Sequence, residues 1–293
     1  MSIKNKIVLN TEPNIYLIIV TYNPNDSLLT NISNMSVFVK EIVIVDNASS
    51  NKKILNKVRS LDSCNVTIIE NIENLGLATA LNQGIKYALQ NKSEYIITLD
   101  QDSYFEQGSI NVLYDRIVNL PDVALLGPDV INLYTKKRKY PKFKFDDGLY
   151  YLQACVMQSG AIYRSSVFED TGLFEEKLFI YYIDDDFCKR LATNYKIAIC
   201  NDAILYHEEG ENGEKIYGGR KIFYRKYSSN AMYYISRNCI YMIKKYGVSE
   251  SKRLFTELRN ILLFQDNKIE LFKSYSSGIK DGIIGKFGER HEM

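Results

Sequence analysis

Apolar runs recur along the first hundred positions, and each is cut off by polar residues. Ile15 to Val20 ends in Thr21-Tyr22-Asn23-Pro24, and Glu41 to Val45 ends in Asp46-Asn47. Val66 to Glu70 ends in Asn71 to Gly76, and Tyr95 to Leu99 ends in Asp100-Gln101-Asp102-Ser103. Short runs this rich in β-branched residues read as buried strands. Between them the period changes. Pro24 stands where a helix can begin, Lys52 to Leu61 reads as helical, and Leu77, Leu81, Ile85 and Leu89 recur every four residues. Alternating strands and helices predict βαβ units and a mostly parallel sheet. Right-handed crossovers then put the polar strand ends on one edge. Thr21, Tyr22, Asn23, Asp46, Asn74, Asp100 and Asp102 are therefore expected around one crevice, where open α/β sheets bind ligands.

Further on, Ala124 to Leu126 reads as a short strand closed by Gly127-Pro128, and a mostly apolar run from Val156 to Tyr163 contains Ser159-Gly160. An aromatic run from Leu178 to Ile183 leads into Asp184-Asp185-Asp186 and a helical pattern through Leu191. Ile197 to Asn201 and Ala203 to Tyr206 read as two short strands leading to His207. From Lys215 the chain becomes basic and rich in Tyr. Arg253 to Phe264 and Ile269 to Tyr275 look like amphipathic helices, and Ser277 to Gly285 reads as a flexible or returning end. This places an α/β core over residues 1–213 and a mostly helical extension over 214–293.

Composition narrows the function. A chain of 293 residues that is 46% hydrophobic and 25% charged can bury a sizeable core. Its net charge of +2 argues against a nucleic-acid binder. The five Cys show no CxxC spacing, so neither a zinc site nor a disulfide framework is expected. Ile7-Val8-Leu9 is too short for a signal-peptide core, and no run approaches the length needed to span a bilayer. The expected location is cytoplasmic. Contact with the inner face of the membrane and homo-oligomerisation stay open.

The candidate chemistry sits at the strand ends. Two carboxylates on a turn, Asp100 and Asp102, suit a hard divalent cation that keeps open positions for phosphate oxygens. Alone, the same pair also reads as an Asp-rich turn before the helix near Gln107. No G-x-G-x-x-G follows the first strand, which argues against a dinucleotide and favours a nucleoside joined to a metal-bound diphosphate. Asp46 is placed to accept hydrogen bonds from a ribose or base. Among Asp184, Asp185 and Asp186, one or two can cap a helix, leaving a carboxylate to act as a general base. His207, beside carboxylates at a strand end, is a metal candidate. The basic run Lys136 to Lys144 reads as a solvated loop or as a contact for an anionic acceptor or lipid headgroups. The basic, aromatic stretch from Lys215 to Arg237 reads either as a diphosphate and sugar contact or as Tyr-rich packing.

Taken as an ordered set, VTYNPN (20–25), IVDNAS (44–49), ENLGLATALNQGI (73–85), TLDQDS (98–103), SGAIY (159–163), FEEKLFIYYIDDDFCKR (174–190) and LYH (205–207) resemble the family 2 inverting glycosyltransferases of GT-A fold. Within these the set is most similar to the bacterial rhamnosyltransferase-like enzymes of cell-surface polysaccharide assembly. The resemblance implies a nucleoside-diphosphate sugar donor, with dTDP-L-rhamnose the best expectation, and a Mn2+ or Mg2+ ion. It further implies a glycan or lipid-linked acceptor and inversion at the anomeric carbon. Carried over by position, Thr21, Tyr22, Asn23, Asp46 and Asn74 contact the nucleoside. Asp100 and Gln101 lie at the diphosphate, and Asp102 is the direct metal ligand, with Asp100 and His207 completing the shell. Asp184 is the catalytic base, with Asp185 as its alternate, and Arg237-Asn238 of SRNCIY lies near the diphosphate or acceptor. The chain departs from the pattern at Ile183, before the base, and at Tyr181, where the rhamnosyl group often has Asp. A UDP-hexose or UDP-N-acetylhexosamine donor, a nucleotidyltransferase and an inactive sugar-nucleotide-binding module are the competing readings.

Overall fold

A computed structural model describes residues 14–61, 64–140, 146–152, 155–208, 210 and 212–290. The first half alternates strand and helix as the pattern predicts: β1 (Ile15–Thr21), α1 (Ser27–Met35), β2 (Glu41–Asp46), α2 (Lys53–Arg59), β3 (Val66–Glu70), α3 (Leu77–Gln90) and β4 (Tyr95–Asp100). The four strands pair in parallel, in the order β3-β2-β1-β4. Their register sets Thr21 beside Asp46, Asp46 beside Glu70 and Val20 beside Asp100. The polar tips therefore share one edge.

Successive residues of a strand point to opposite faces. Tyr16 and Ile18 of β1 enter one apolar cluster with Leu81 and Ile85 of α3, while Leu17 and Ile19 enter another with Leu28 and Ile32 of α1. Each fully buried aliphatic side chain stabilises the fold by about 1.5–3 kcal/mol.

The sheet continues through β5 (Tyr104–Phe105), α4 (Ser109–Val118), β6 (Val123–Asn132), β7 (Leu149–Leu152), β8 (Ile162–Arg164), α5 (Val167–Asp170), α6 (Ile183–Leu191) and β9 (Lys196–His207). Its full order is β3-β2-β1-β4-β8-β6-β9-β5, with β7 also paired to β9. β8 runs antiparallel to both β4 and β6, so the sheet is mixed beyond its parallel half.

Two strand expectations change. β6 does not stop at Gly127-Pro128. It runs on to Asn132, because Pro128 falls at a register shift where no ladder hydrogen bond from its nitrogen is needed. The two short strands before His207 are one strand, β9, whose residues 201–203 bulge out of the pairing between Cys200 and Ile204. Beyond the bulge the shifted register pairs His207 with Asn132.

Beyond β9 the chain forms a hairpin, β10 (Asn212–Tyr217) and β11 (Arg220–Arg225), before α7 (Ser229–Tyr246), α8 (Lys252–Leu263) and α9 (Lys268–Ile284). The hairpin replaces the expected start of a helical region. Gly218 and Gly219, with φ of 57° and 75°, supply the left-handed turn that a two-residue hairpin loop requires. The boundary drawn at 213 falls inside β10. α9 also extends through the segment read as a flexible end. Ile235, Cys239 and Met242 of α7 join the same apolar cluster as Tyr163 and Phe187, so α7 packs directly on the core. Residues 141–144 of the basic run lie outside the described residues.

Candidate active site

β4 delivers Asp100 to the sheet edge, and a tight turn follows, closed by the Ser103 N–H donating to the Asp100 carbonyl at 3.1 Å. The turn leads into β5, where Tyr104 pairs with Tyr206 of β9. That pairing brings His207 next to the turn. One ligand atom each from Asp100, Asp102 and His207 lie within 4.8 Å of one another, and His207 Nδ1 is 3.7 Å from Asp102 Oδ1. Hydrogen bonds hold the trio. Gln158 Nε2 donates to Asp100 Oδ1 at 2.6 Å, and the Asp100 N–H donates to Ser159 Oγ at 3.0 Å. Ser159 Oγ in turn donates to Ser103 Oγ at 3.0 Å, which lies 2.8 Å from His207 Nδ1.

Burial pushes the Asp100 carboxyl up to about 6, and neighbouring Asp102 and Asp184 add to this, against the opposing pull of His207 and the Gln158 hydrogen bond. A buried anion beside other anions is the environment that a cation relieves. Two carboxylates and one imidazole at this spacing fit Mn2+ or Mg2+ with coordination positions left for other oxygens.

The second acidic centre begins α6. Phe179, Tyr181 and Tyr182 hold φ of 65°, 63° and 63°, a left-handed path that side chains rarely adopt. This path sets Asp184 at the start of the helix, half-buried, with the Gln158 N–H against its carboxylate. Burial raises the Asp184 carboxyl. Asp185 is pushed up to about 6 by burial and by Asp184, while Arg253 and Lys189 pull it down. Asp186 faces the other way. It is fully buried and bound by Arg190 Nε at 2.9 Å, Lys245 Nζ at 2.7 Å and Tyr246 Oη at 2.8 Å. Of the three consecutive carboxylates, Asp186 is thus a structural anchor, and Asp184 and Asp185 remain open. Cys155 lies within 4.8 Å of both.

The expected nucleoside residues line the other side of the crevice, but several are already engaged. Asp46 is fully buried. Its oxygens accept from Thr21 Oγ1 at 3.0 Å, the Ser49 N–H at 3.0 Å, the Ser49 hydroxyl and Lys52 Nζ at 2.5 Å. Burial pushes its carboxyl up, but the Lys52, Ser49 and Thr21 bonds outweigh burial and hold it below the usual range. In this structure Asp46 therefore braces the crevice floor rather than standing open to a ribose. Gln101 likewise makes a two-way bond to the Tyr22 main chain, at 2.8 and 3.1 Å, stapling the β1 tip to the acidic turn. Asn23 accepts from the Ser50 N–H and hydroxyl, both at 2.9 Å. Asn74 accepts from Asn47 Nδ2 at 2.6 Å and from the Gly76 N–H at 3.0 Å. The Tyr22 ring is half exposed and faces solvent at this edge.

Arg237 needs correction. It is fully buried and donates to the carbonyls of Gly288 at 2.6 Å, Lys177 at 3.3 Å and Leu178 at 3.0 Å. Its guanidinium also lies 4.8 Å from the Tyr234 ring centroid. With every face covered by its own chain, it has no surface to offer a diphosphate. Its neighbour Asn238 donates to the carbonyls of Leu178, Ile180 and Tyr181 at 2.9, 2.6 and 3.0 Å. Arg237-Asn238 is a clamp on the loop that carries Asp184.

Sequence reasoning missed Gln158 and Ser103, and it set Asn238, with Arg237, near the diphosphate or acceptor rather than on the Leu178–Tyr181 carbonyls. Gln158 directly precedes Ser159-Gly160 in the run from Val156 to Tyr163, but an amide carries no charge pattern to mark it.

The sequence pattern of glycosyl transferase family 2 matches residues 16–172. The chain is 31% identical to the dTDP-rhamnosyl transferase RfbF of Shigella flexneri, over 94% of this chain and 97% of that one. It is 26% identical to the low-salt glycan biosynthesis hexosyltransferase Agl10 of Haloferax volcanii, over 66% of each. Among solved structures it is similar to S. aureus TarS 1-349 in complex with UDP-GlcNAc, with a TM-score of 0.60, 16% identity, and coverage of 92% of this chain and 80% of that one. It is also similar to GalNAc-T7 with UDP, GalNAc and Mn2+, with a TM-score of 0.61, 17% identity, and coverage of 94% and 56%. The mixed α/β architecture is the GT-A fold of these structures.

Proposed function

This chain belongs to glycosyl transferase family 2 and is a glycosyltransferase, and from that premise we propose that it transfers L-rhamnose from dTDP-L-rhamnose, with inversion, to a hydroxyl of a glycan or lipid-linked acceptor in bacterial surface polysaccharide synthesis. The donor assignment is supported by the identity to a dTDP-rhamnosyl transferase along nearly the whole of both chains. The observation that carries the mechanism is the cluster of Asp100, Asp102 and His207, whose ligand atoms lie within 4.8 Å of one another and whose Asp100 is held by the Gln158 amide.

Asp100, Asp102 and His207 would hold a divalent cation, which would supply charge neutralisation for the departing diphosphate. The chain's own groups do the rest. Tyr22 and Asn74 bound the nucleoside edge, and the Gln101 staple fixes the distance from that edge to the acidic turn. Asp184, its carboxyl raised by burial, is a stronger base than an exposed Asp. It accepts the proton of the acceptor hydroxyl as that oxygen attacks the anomeric carbon from the face opposite the diphosphate. The anomeric C–O bond breaks, its electrons stay on the diphosphate, and the new glycosidic bond has inverted configuration. The transition state is oxocarbenium-like, as in glycoside cleavage.

The test is nucleotide release with Mn2+, comparing dTDP-rhamnose with UDP-glucose, UDP-galactose and UDP-N-acetylhexosamines. Fastest release of dTDP from dTDP-rhamnose supports the reading. Preference for a UDP-sugar overturns the donor and leaves the mechanism. Release of pyrophosphate rather than a nucleoside diphosphate overturns the transferase chemistry.

A further inference from the structure

α8 and α9 pack inward through Ile261, Leu271 and Tyr275, yet each keeps a second apolar face outside. On α8 the exposed positions include Lys252, Phe255, Arg259 and Leu262, spaced by three or four residues and so on one face. On α9 the exposed positions Ile269, Phe272, Lys273 and Lys280 repeat the pattern. Phe255 is 71% and Ile269 77% exposed, which is unusual for side chains of this size. Among the described residues, Lys252, Arg259, Lys273 and Lys280 have no carboxylate partner. Asp266 is paired with Lys215 at 2.7 Å, and Glu270 keeps its charge while accepting from the Ser229 hydroxyl, so it stands against the exposed Lys252, Arg259, Lys268, Lys273 and Lys280. The face is therefore apolar and positively charged.

We propose that the outer face of α8 and α9 docks on an anionic lipid bilayer. Charge complementarity selects this occupant. A two-fold pairing of the face with a second copy would set these cations against themselves, because an isologous interface meets the same patch. Phe and Leu with interspersed Lys and Arg match the demands of a helix lying in a headgroup layer, and no described helix is long and apolar enough to cross a membrane. The same helix reaches the site. On the inner side of α8, Arg253 sits 4.9 Å from the ring centroid of Tyr182, which directly precedes Ile183 and Asp184. Docking through α8 thus holds the base-bearing end of the crevice near the bilayer, where a lipid-linked hydroxyl is presented. This geometry is independent of which nucleotide sugar is the donor.

The experiment is sedimentation of the full-length protein with vesicles of phosphatidylcholine alone or mixed with phosphatidylglycerol, at low and high salt. Binding is expected to the mixed vesicles, to weaken with salt, and to fall at least tenfold in Phe255→Ser/Phe272→Ser and in Lys252→Glu/Lys273→Glu. A basic residue near such a surface contributes roughly fivefold to partitioning. Both variants are expected to keep wild-type thermal unfolding, since the four side chains are exposed. Absent binding, or equal binding to neutral and anionic vesicles, overturns the proposal. So does a dimer in ultracentrifugation that the same substitutions dissociate.

Discussion

Gln158 serves both acidic centres, its side-chain amide donating to Asp100 Oδ1 at 2.6 Å and its main-chain N–H pulling the Asp184 carboxyl down against the larger effect of burial. The side-chain bond fixes Asp100 in the rotamer that faces Asp102 and His207. Gln158→Leu removes the donor and leaves the backbone contact intact. Outer partners of this kind are worth about 10- to 100-fold in metal affinity. The expected result is Mn2+ binding weakened by about that factor in calorimetry, with the fold unchanged by circular dichroism. Unchanged Mn2+ affinity would remove Gln158 from the metal site.

The three consecutive carboxylates separate by environment. Asp184→Asn keeps donor binding and loses transfer by about 10²- to 10⁴-fold, the usual contribution of a general base. Asp186→Asn acts on folding instead. It leaves Lys245 and Arg190 partly unpaired beside a buried site, and breaking such a network costs about 3–5 kcal/mol. Thermal unfolding and turnover measured on both variants distinguish the roles. An Asp184→Asn enzyme with wild-type turnover would move the base to Asp185.

The Asp184–Asp185 pair sets a pH dependence. Both carboxyls are raised in the folded protein, Asp185 to about 6. Between the ordinary carboxyl value and that pH the folded state binds more protons than the unfolded state, so stability falls as pH rises through this window. Transfer runs the other way, because the base must be ionised. Its rate is expected to rise as pH leaves the acid range, along a limb that lies above the ordinary carboxyl range and belongs to the pair rather than to one residue. Asp185→Asn removes the neighbouring charge, so the limb moves to lower pH and the acid-side stability gain shrinks. A limb that stays in place in this variant would separate the two groups.

The crevice was legible because its signal is a repeated local one. Each apolar run ends in polar residues, and parallel pairing lines up those ends whatever lies between. Asp100, Asp102 and His207 came together as expected since β5, only two residues long, pairs with the end of β9. Legibility ended where long-range packing chose partners. Arg237 is a charged residue in a suggestive motif, and nothing local tells that a main-chain carbonyl 59 residues away absorbs it, whereas Asp46 is closed by Ser49 and Lys52, near in sequence, whose side-chain directions the pattern leaves open. The hairpin was misread for a different reason. Its Gly218-Gly219 turn was present in the sequence, but the density of Lys, Arg and Tyr around it drew the reading toward helices.

Asn238 is expected to control turnover without touching a substrate. Its amide nitrogen lies within hydrogen-bond distance of the carbonyls of Leu178, Ile180 and Tyr181, the residues around the left-handed turn before Asp184. Left-handed side-chain positions cost about 1–3 kcal/mol each and persist only when their surroundings hold them. Phe179 is held on its other side as well, where the Ala78 N–H donates to its carbonyl at 3.3 Å. A Cβ on Gly76, whose φ is +84°, would meet the Phe179 ring at 2.5 Å. Asn238→Ala removes one side of this grip while leaving Asp100, Asp102, His207 and the nucleoside edge on separate elements. The expected outcome is a stability loss of about 1–3 kcal/mol for the carbonyls left unpaired. kcat is expected to fall tenfold or more, with little change in KM for the nucleotide sugar, because the base loses its position while the donor keeps its contacts. A matched rise in KM would mean that the loop holds the donor, and unchanged kcat with lowered stability would confine Asn238 to folding.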